Sequence, residues 1–212
     1  MSGKPSNELF AVVMAIPENK RLPRGREQVK SLSALARQAL RISAELSGQR
    51  LGALEKTADG RPLPSRGIYW SLAHKPRYVA AVCAPFTVGI DIEQIKPVDP
   101  GLFTKVASDA EWQMMGRSEA AFFRAWTAKE AVVKAEGVGF AGFSRCRILG
   151  LPSQEQMNLA FDDRPYRILF TQHNGHLAAV TAGNWQCNWV SVNLTPSYPA
   201  GHFVRSLPRE VS

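Results

Sequence analysis

The sequence predicts an α+β fold built from two similar α/β halves that form a pseudo-dimer, the first over residues 1–100 and the second over 101–212, with a site in the seam between them. Two passages carry this reading. Ser71-Leu72-Ala73-His74, a turn at Lys75-Pro76-Arg77 and Tyr78 to Ala84 read as a β-hairpin leading into Val88 to Glu93. Tyr166 to Thr171, a turn at Asn174-Gly175 and His176 to Ala182 read as a second hairpin leading toward Gln186 to Val192. The third observation is the order of strands and helices, which favours α+β over a doubly wound sheet.

Taken in order, Leu9 to Ile16 is an apolar run that opens the chain as a strand. Pro17 to Arg26 is polar and carries Pro and Gly. Glu27 to Leu46 has apolar residues at helical spacing, among them Leu32, Leu35, Ala36, Ala39 and Leu40, and reads as a long amphipathic helix with Lys30 and Arg37 on its solvated face. Gln94 to Ser108, with Pro97 and Pro100, reads as a connection without helix. Asp109 to Met115 is a short helix with Ser108 as its cap. Ala120 to Glu136 is a longer one, with Phe122, Phe123, Trp126, Ala131 and Val133 as apolar surface and Gly137 and Gly139 as a stop. Trp126 fits a core anchor, since Phe123 lies three residues before it. His173 and His176 read as surface hairpin residues, and the Pro-containing segment after Val192 as irregular.

A length of 212 residues allows one large domain or two small ones. The formal charge of +8 favours anionic partners, without choosing among nucleic acid, a phosphorylated cofactor and an acidic protein. Cys83, Cys146 and Cys187 form neither a CxxC pair nor a zinc pattern, so a reducing cytoplasm is expected. No run reaches membrane-spanning length or resembles an export signal, and the expectation is a monomer with no membrane or nucleic-acid partner.

Two segments carry chemistry. In Gly89-Ile90-Asp91-Ile92-Glu93 the two carboxylates are one residue apart in an apolar run, so on a strand they share a face. In Trp126-Thr127-Ala128-Lys129-Glu130-Ala131-Val132-Val133-Lys134, Glu130 and Lys134 share a helix face. Mg²⁺ is held by one or two carboxylates together with waters and substrate phosphates, so these residues suit a metal-assisted reaction on a phosphate ester. Taken alone, the helix is also accounted for by a solvated face with a Glu130–Lys134 ion pair worth a few tenths of a kcal/mol.

Together the segments resemble the signature of the 4'-phosphopantetheinyl transferase superfamily, of the type with two similar halves in one chain that activates surfactin synthetase. Its GxDxE is matched by Gly89 to Glu93, and its W-[S/T/C]-x-K-E-[A/S]-x-x-K helix by Trp126 to Lys134, with Phe123 in register. Ser71-Leu72-Ala73-His74 matches a polar, apolar, Ser, His element, departing from it at Ala73, and Gly60-Arg61-Pro62 matches a Gly-Lys-Pro turn. By motif the resemblance spans Gly60 to Gly139.

The resemblance implies transfer of the phosphopantetheine arm of coenzyme A to a serine of an apo acyl or peptidyl carrier protein, releasing 3',5'-ADP. It places Asp91, Glu93 and Glu130 on Mg²⁺. Glu130, Lys134 and His74 are implied in catalysis, and Arg61, His74, Lys129 and Lys134 around the cofactor. Lys129 would also orient the helix. Glu130 or a metal-held water would take the serine proton. The alternatives are a relative that binds carriers without catalysis and a basic nucleic-acid-binding protein, for which no RNP-like, zinc-finger or helix-turn-helix pattern speaks.

Overall fold

A computed structural model of the chain describes residues 7–21 and 23–194. The irregular segment expected after Val192 lies outside the described residues except for Asn193 and Leu194. The layers run helix, sheet, sheet, helix. The first sheet has the order β2-β3-β1-β9, from β1 (Glu8–Ala15), β2 (Tyr69–Lys75), β3 (Tyr78–Ala84) and β9 (Gln186–Asn193). β1 runs antiparallel to β3 and parallel to β9. The second sheet has the order β4-β8-β7-β6-β5, all antiparallel, from β4 (Ile90–Gln94), β5 (Cys146–Ser153), β6 (Gln156–Phe161), β7 (Arg164–His173) and β8 (His176–Thr181). The two sheets therefore exchange strands: β4 follows β3 in sequence yet joins β8, and β9 crosses back to β1.

Strand alternation explains the three cores. Along β1, Val12 and Met14 face the long helix α1 (Arg26–Leu46), where Leu35, Ala39 and Leu40 meet them, while Ala11 and Val13 face the second sheet. Ala80, Val82, Ala178 and Val180 fill the layer between the sheets, and their small size lets the sheets approach. On the far side, α4 (Glu119–Glu136) packs Phe122, Ala125, Ala128 and Val132 onto Met157, Leu159, Ile168 and Phe170. Burying each of the larger side chains contributes about 1.5–3 kcal/mol. β3 and β8 are covered on both faces, and every residue in them is buried.

Helix ends follow the expected chemistry. Ser108 caps α3 (Asp109–Met115) in a full capping box with Glu111, and Ser118 accepts from Ala121 N at the start of α4. Gly137 closes α4 in the left-handed conformation. The connection expected from Gln94 to Ser108 is corrected: it holds a 3₁₀ turn at Pro100–Leu102 and the short helix α2 (Phe103–Val106). Asp99 caps the turn by accepting from Gly101 N, and proline at a first helical position costs nothing because its missing N–H has no partner there. Phe103 and Val106 anchor it in the core. Residues 146–161, which periodicity alone does not divide, form β5 and β6. Among the described residues no helix is long and apolar enough to cross a membrane.

Candidate active site

Gly89, which leads into β4, lies directly against the backbone of α4. A Cβ on Gly89 would stand 1.8 Å from the Ala131 carbonyl oxygen and 2.8 Å from Ala135 N, so only glycine lets the strand meet α4 here. Gly89 N donates to Thr181 Oγ1 at 2.9 Å, and Ile90 N donates to Ser71 Oγ at 3.1 Å. These bonds pin the strand between two others. Alternation then directs Ile90 and Ile92 into the core between the sheets and Asp91 and Glu93 toward the α4 side.

Lys134 on α4 reaches across to β4, with Nζ 2.6 Å from Asp91 Oδ1 and 3.2 Å from the Ile90 carbonyl. Glu93 is gripped from two sides, by Lys75 Nζ at 2.8 Å and Trp126 Nε1 at 3.2 Å. Asp91 Oδ2 is buried and has no hydrogen-bond partner among the described residues. A buried carboxylate oxygen without a donor is costly unless a cation or ordered group meets it.

The electrostatics point the same way. Burial and then the charge of Asp91 push the Glu93 carboxyl above the usual range, against Lys75 and Trp126. Burial, Asp91 and Glu93 do the same to Glu130, against Lys134 and Lys75. Asp91, Glu93 and Glu130 thus lie within one another's electrostatic reach, opposed by Lys75 and Lys134, and their oxygens are the hard donors that Mg²⁺ prefers. Among the described residues no group of three His, Cys, Asp or Glu side chains is arranged to hold an ion by itself. The set fits Mg²⁺ only as that metal is usually held, with substrate phosphates and waters completing its shell. Burial, followed by Lys134 and Lys75, holds His74 below the ordinary imidazole range, so it is neutral near pH 7.

Beside this cluster opens a cleft of about 400 Å³, whose wall includes Lys56, Arg61, Trp70, Ser71, Glu130 and Lys134. Arg61 lies across the end of α4: a Cβ on Gly137 would meet its Cδ and Nε at 2.4 Å. The structure therefore brings Asp91, Glu93, Glu130 and Lys134 together, with His74 and Arg61 beside them.

Lys129 does not join them, which corrects its expected place at the cofactor. It is 3% exposed, and its ammonium donates to the Val106 carbonyl at 2.8 Å and to Glu111 Oε1 at 3.2 Å on the opposite side of α4. One residue of separation on a helix turns a side chain by about 100°, which carries Lys129 away from the face of Glu130. A further correction concerns the histidines. His176 is 1% exposed and packs on Tyr78 with ring centroids 4.7 Å apart, because β8 is covered on both faces. His173 is half-buried beside the same tyrosine. Trp126 packs on Phe143 as a core anchor but also supplies the hydrogen bond to Glu93. Lys75 was missed altogether, since its approach to Glu93 depends on β2 and β4 lying close across the layer.

Residues 87–188 match the profile described as the 4'-phosphopantetheinyl transferase superfamily. Over 94 residues the chain is 33% identical to 4'-phosphopantetheinyl transferase psf-1 of Bacillus pumilus, an alignment covering 41% of this chain and 40% of that protein. Over 89 residues it is 28% identical to 4'-phosphopantetheinyl transferase gsp of Aneurinibacillus migulanus, covering 40% and 38%. The matched stretch thus spans about two fifths of each curated relative. Residues 87–188 contain β4 and α4 with all four residues of the carboxylate and lysine cluster, and it is through this stretch that the chain is similar to the 4'-phosphopantetheinyl transferase superfamily.

Proposed function

We propose that this protein transfers 4'-phosphopantetheine from coenzyme A to a serine of an apo acyl or peptidyl carrier protein, releasing 3',5'-ADP, and that it is of the two-halved, surfactin-synthetase-activating type. The observation that carries the reading is the meeting of β4 and α4, where Asp91 keeps one buried oxygen without a donor beside Lys134, Glu93 and Glu130. The names of the two relatives supply the reaction class. Residues 1–100 contribute β4 and residues 101–212 contribute α4, so the proposed site lies in the seam between the halves.

Asp91, Glu93 and Glu130 are the residues that would hold Mg²⁺. Bound there, the metal would draw negative charge from the pyrophosphate as the leaving group departs. Lys134 supplies a fixed positive charge on the same side, where a low-dielectric setting makes it most effective. His74, neutral and flanked by Lys75 and Lys134, donates one N–H to a phosphate oxygen, and Arg61 faces the nucleotide end of the cleft. The carrier serine oxygen forms a bond to the phosphorus on the pantetheine side and the P–O bond of the pyrophosphate breaks. Its electron pair leaves with 3',5'-ADP, and Glu130 or a metal-held water would take the serine proton.

The protein, incubated with coenzyme A, Mg²⁺ and a panel of apo carriers, is expected to add the phosphopantetheine mass to at least one of them. Lys134→Ala should lower the rate about 100-fold. Carrier binding without any mass gain under those conditions would favour a non-catalytic carrier-binding protein instead.

A further inference from the structure

Among the described residues, Glu93 is the acid of the cluster whose two oxygens both meet a protein donor. Trp126 Nε1 donates to Oε1 at 3.2 Å, and Lys75 Nζ stands 2.8 Å from Oε2. Asp91 by contrast keeps Oδ2 without a donor, and Glu130 opens on the cleft. The ammoniums of Lys75 and Lys134, each on one carboxylate, together carry the charge of one dication.

Lys75 reaches Glu93 because of where β2 ends. Ser71, Ala73 and Lys75 alternate onto the face of β2 that meets β4: Ser71 Oγ accepts from Ile90 N at 3.1 Å, Ala73 is buried with Ile90 and Ile92, and Lys75 closes the strand beyond that core. A lysine one residue earlier or later would take the opposite face. The Lys75 side chain is 33% exposed and that of Glu93 14%, unlike the interior pair of Lys129. An ammonium at such a margin swings out to solvent at modest cost, while Trp126, packed on Phe143, stays in place. Lys75 is therefore a displaceable charge.

We propose that Lys75 is a positioning residue that acts as a resident counter-cation: in the metal-free protein it holds Glu93 in place and competes with a divalent cation for it. This rests on the metal assignment in the function proposed above. Without Lys75, Glu93 would stand in the field of Asp91 and Glu130 with Trp126 alone to hold it, and like charges would push it from the set. With Lys75, the acids stay gathered before a metal arrives. The consequence is a lower affinity for a bare cation, which has to dislodge the ammonium as it binds. Mg²⁺ also gives up its waters reluctantly, so the exchange is most favourable when a diphosphate supplies further oxygens.

Binding of Mn²⁺, an oxygen-ligated stand-in for Mg²⁺, to the coenzyme-free protein is read from the electron paramagnetic resonance signal of the free ion at one ionic strength. Lys75→Met is expected to bind Mn²⁺ about tenfold more tightly than the wild type, and Lys75→Arg, which keeps the charge, to bind it as the wild type does. In a Glu93→Gln background, Lys75→Met should change the affinity less than about twofold, because the ammonium no longer has a carboxylate to occupy. Equal or weaker binding by Lys75→Met overturns the inference, as does no detectable binding by any of these proteins. The same gain in the Glu93→Gln background also overturns it, by making Lys75 a distant charge only. Coenzyme A is left out, so the result stands apart from the transfer assay: a protein that shows the gain yet transfers nothing keeps this assignment and loses the proposed reaction.

Discussion

Lys129 and Glu111 form an ion pair inside the protein, Nζ to Oε1 3.2 Å, with side chains only 3% and 9% exposed. The carboxylate also accepts Ile148 N and Ser108 N, both at 2.7 Å, so one acid ties α3, β5 and α4 together. Together with the apolar face of α4, the pair keeps Glu130 and Lys134 toward β4: turning α4 would draw a buried ammonium away from its partners.

Breaking the pair from one side should therefore be expensive. Lys129→Met leaves Glu111 buried without its cation, and we expect a loss of about 3 kcal/mol, the lower end for a broken buried pair. The double change Glu111→Gln, Lys129→Met should recover part of it. Urea unfolding of the single and double variants measures both, and a Lys129→Met protein as stable as the wild type would rule out a structural role.

Acid should act through the same residue. Burial by itself would raise the Glu111 carboxyl, but the Ile148 and Ser108 amides and Lys129 outweigh it, and its pKa lies below the ordinary glutamate value. A lowered folded pKa means that the unfolded chain binds the proton first as pH falls. Its contribution is complete above the unfolded value near 4.5 and is lost as pH drops through the folded one. Urea midpoints between about pH 3 and 6 should fall with acid in the wild type, with a shallower slope in Glu111→Gln.

The acids of the proposed site behave in the opposite sense. Glu130 has its proton affinity raised by burial, Asp91 and Glu93, so its ionised form weakens the fold above that raised pKa. We expect Glu130→Gln to melt about 1–3 °C higher than the wild type at pH 7 while losing transfer activity. Mg²⁺ with coenzyme A should raise the wild-type melting temperature and do so less in the variant. Scanning calorimetry with and without the two ligands decides it, and a destabilised Glu130→Gln would contradict this account of the cluster.

Gly89 offers a steric test. An added Cβ would have to clear the Ala131 carbonyl, which stands 1.8 Å away and belongs to a helix backbone that cannot turn aside. Gly89→Ala should cost about 2–3 kcal/mol by forcing β4 from α4. It should also separate Asp91 from Lys134, so activity is expected to fall even where the variant remains folded. Denaturant unfolding and transfer assays on one preparation show whether the two effects travel together.

Local chemistry made much of this molecule legible. The alternation in Ile90-Asp91-Ile92-Glu93 already determined that two apolar and two acidic side chains would take opposite faces of a strand, whatever packed on them. The four-residue spacing put Glu130 and Lys134 on one helix face, and Ser108 and Gly137 marked ends that the structure keeps. Each of these signals is complete within a few residues. Pairings across long stretches of chain have no such local signature, and only the tertiary structure decided them. β4 leaves its own hairpin to pair with β8, and β9 returns to run parallel to β1. That exchange brings Lys75 to Glu93 and buries His176 under Tyr78. The inward turn of Lys129 was fixed in the same way, by the arrival of Glu111 from another helix, since a lysine on a helix takes whichever side offers its charge a partner.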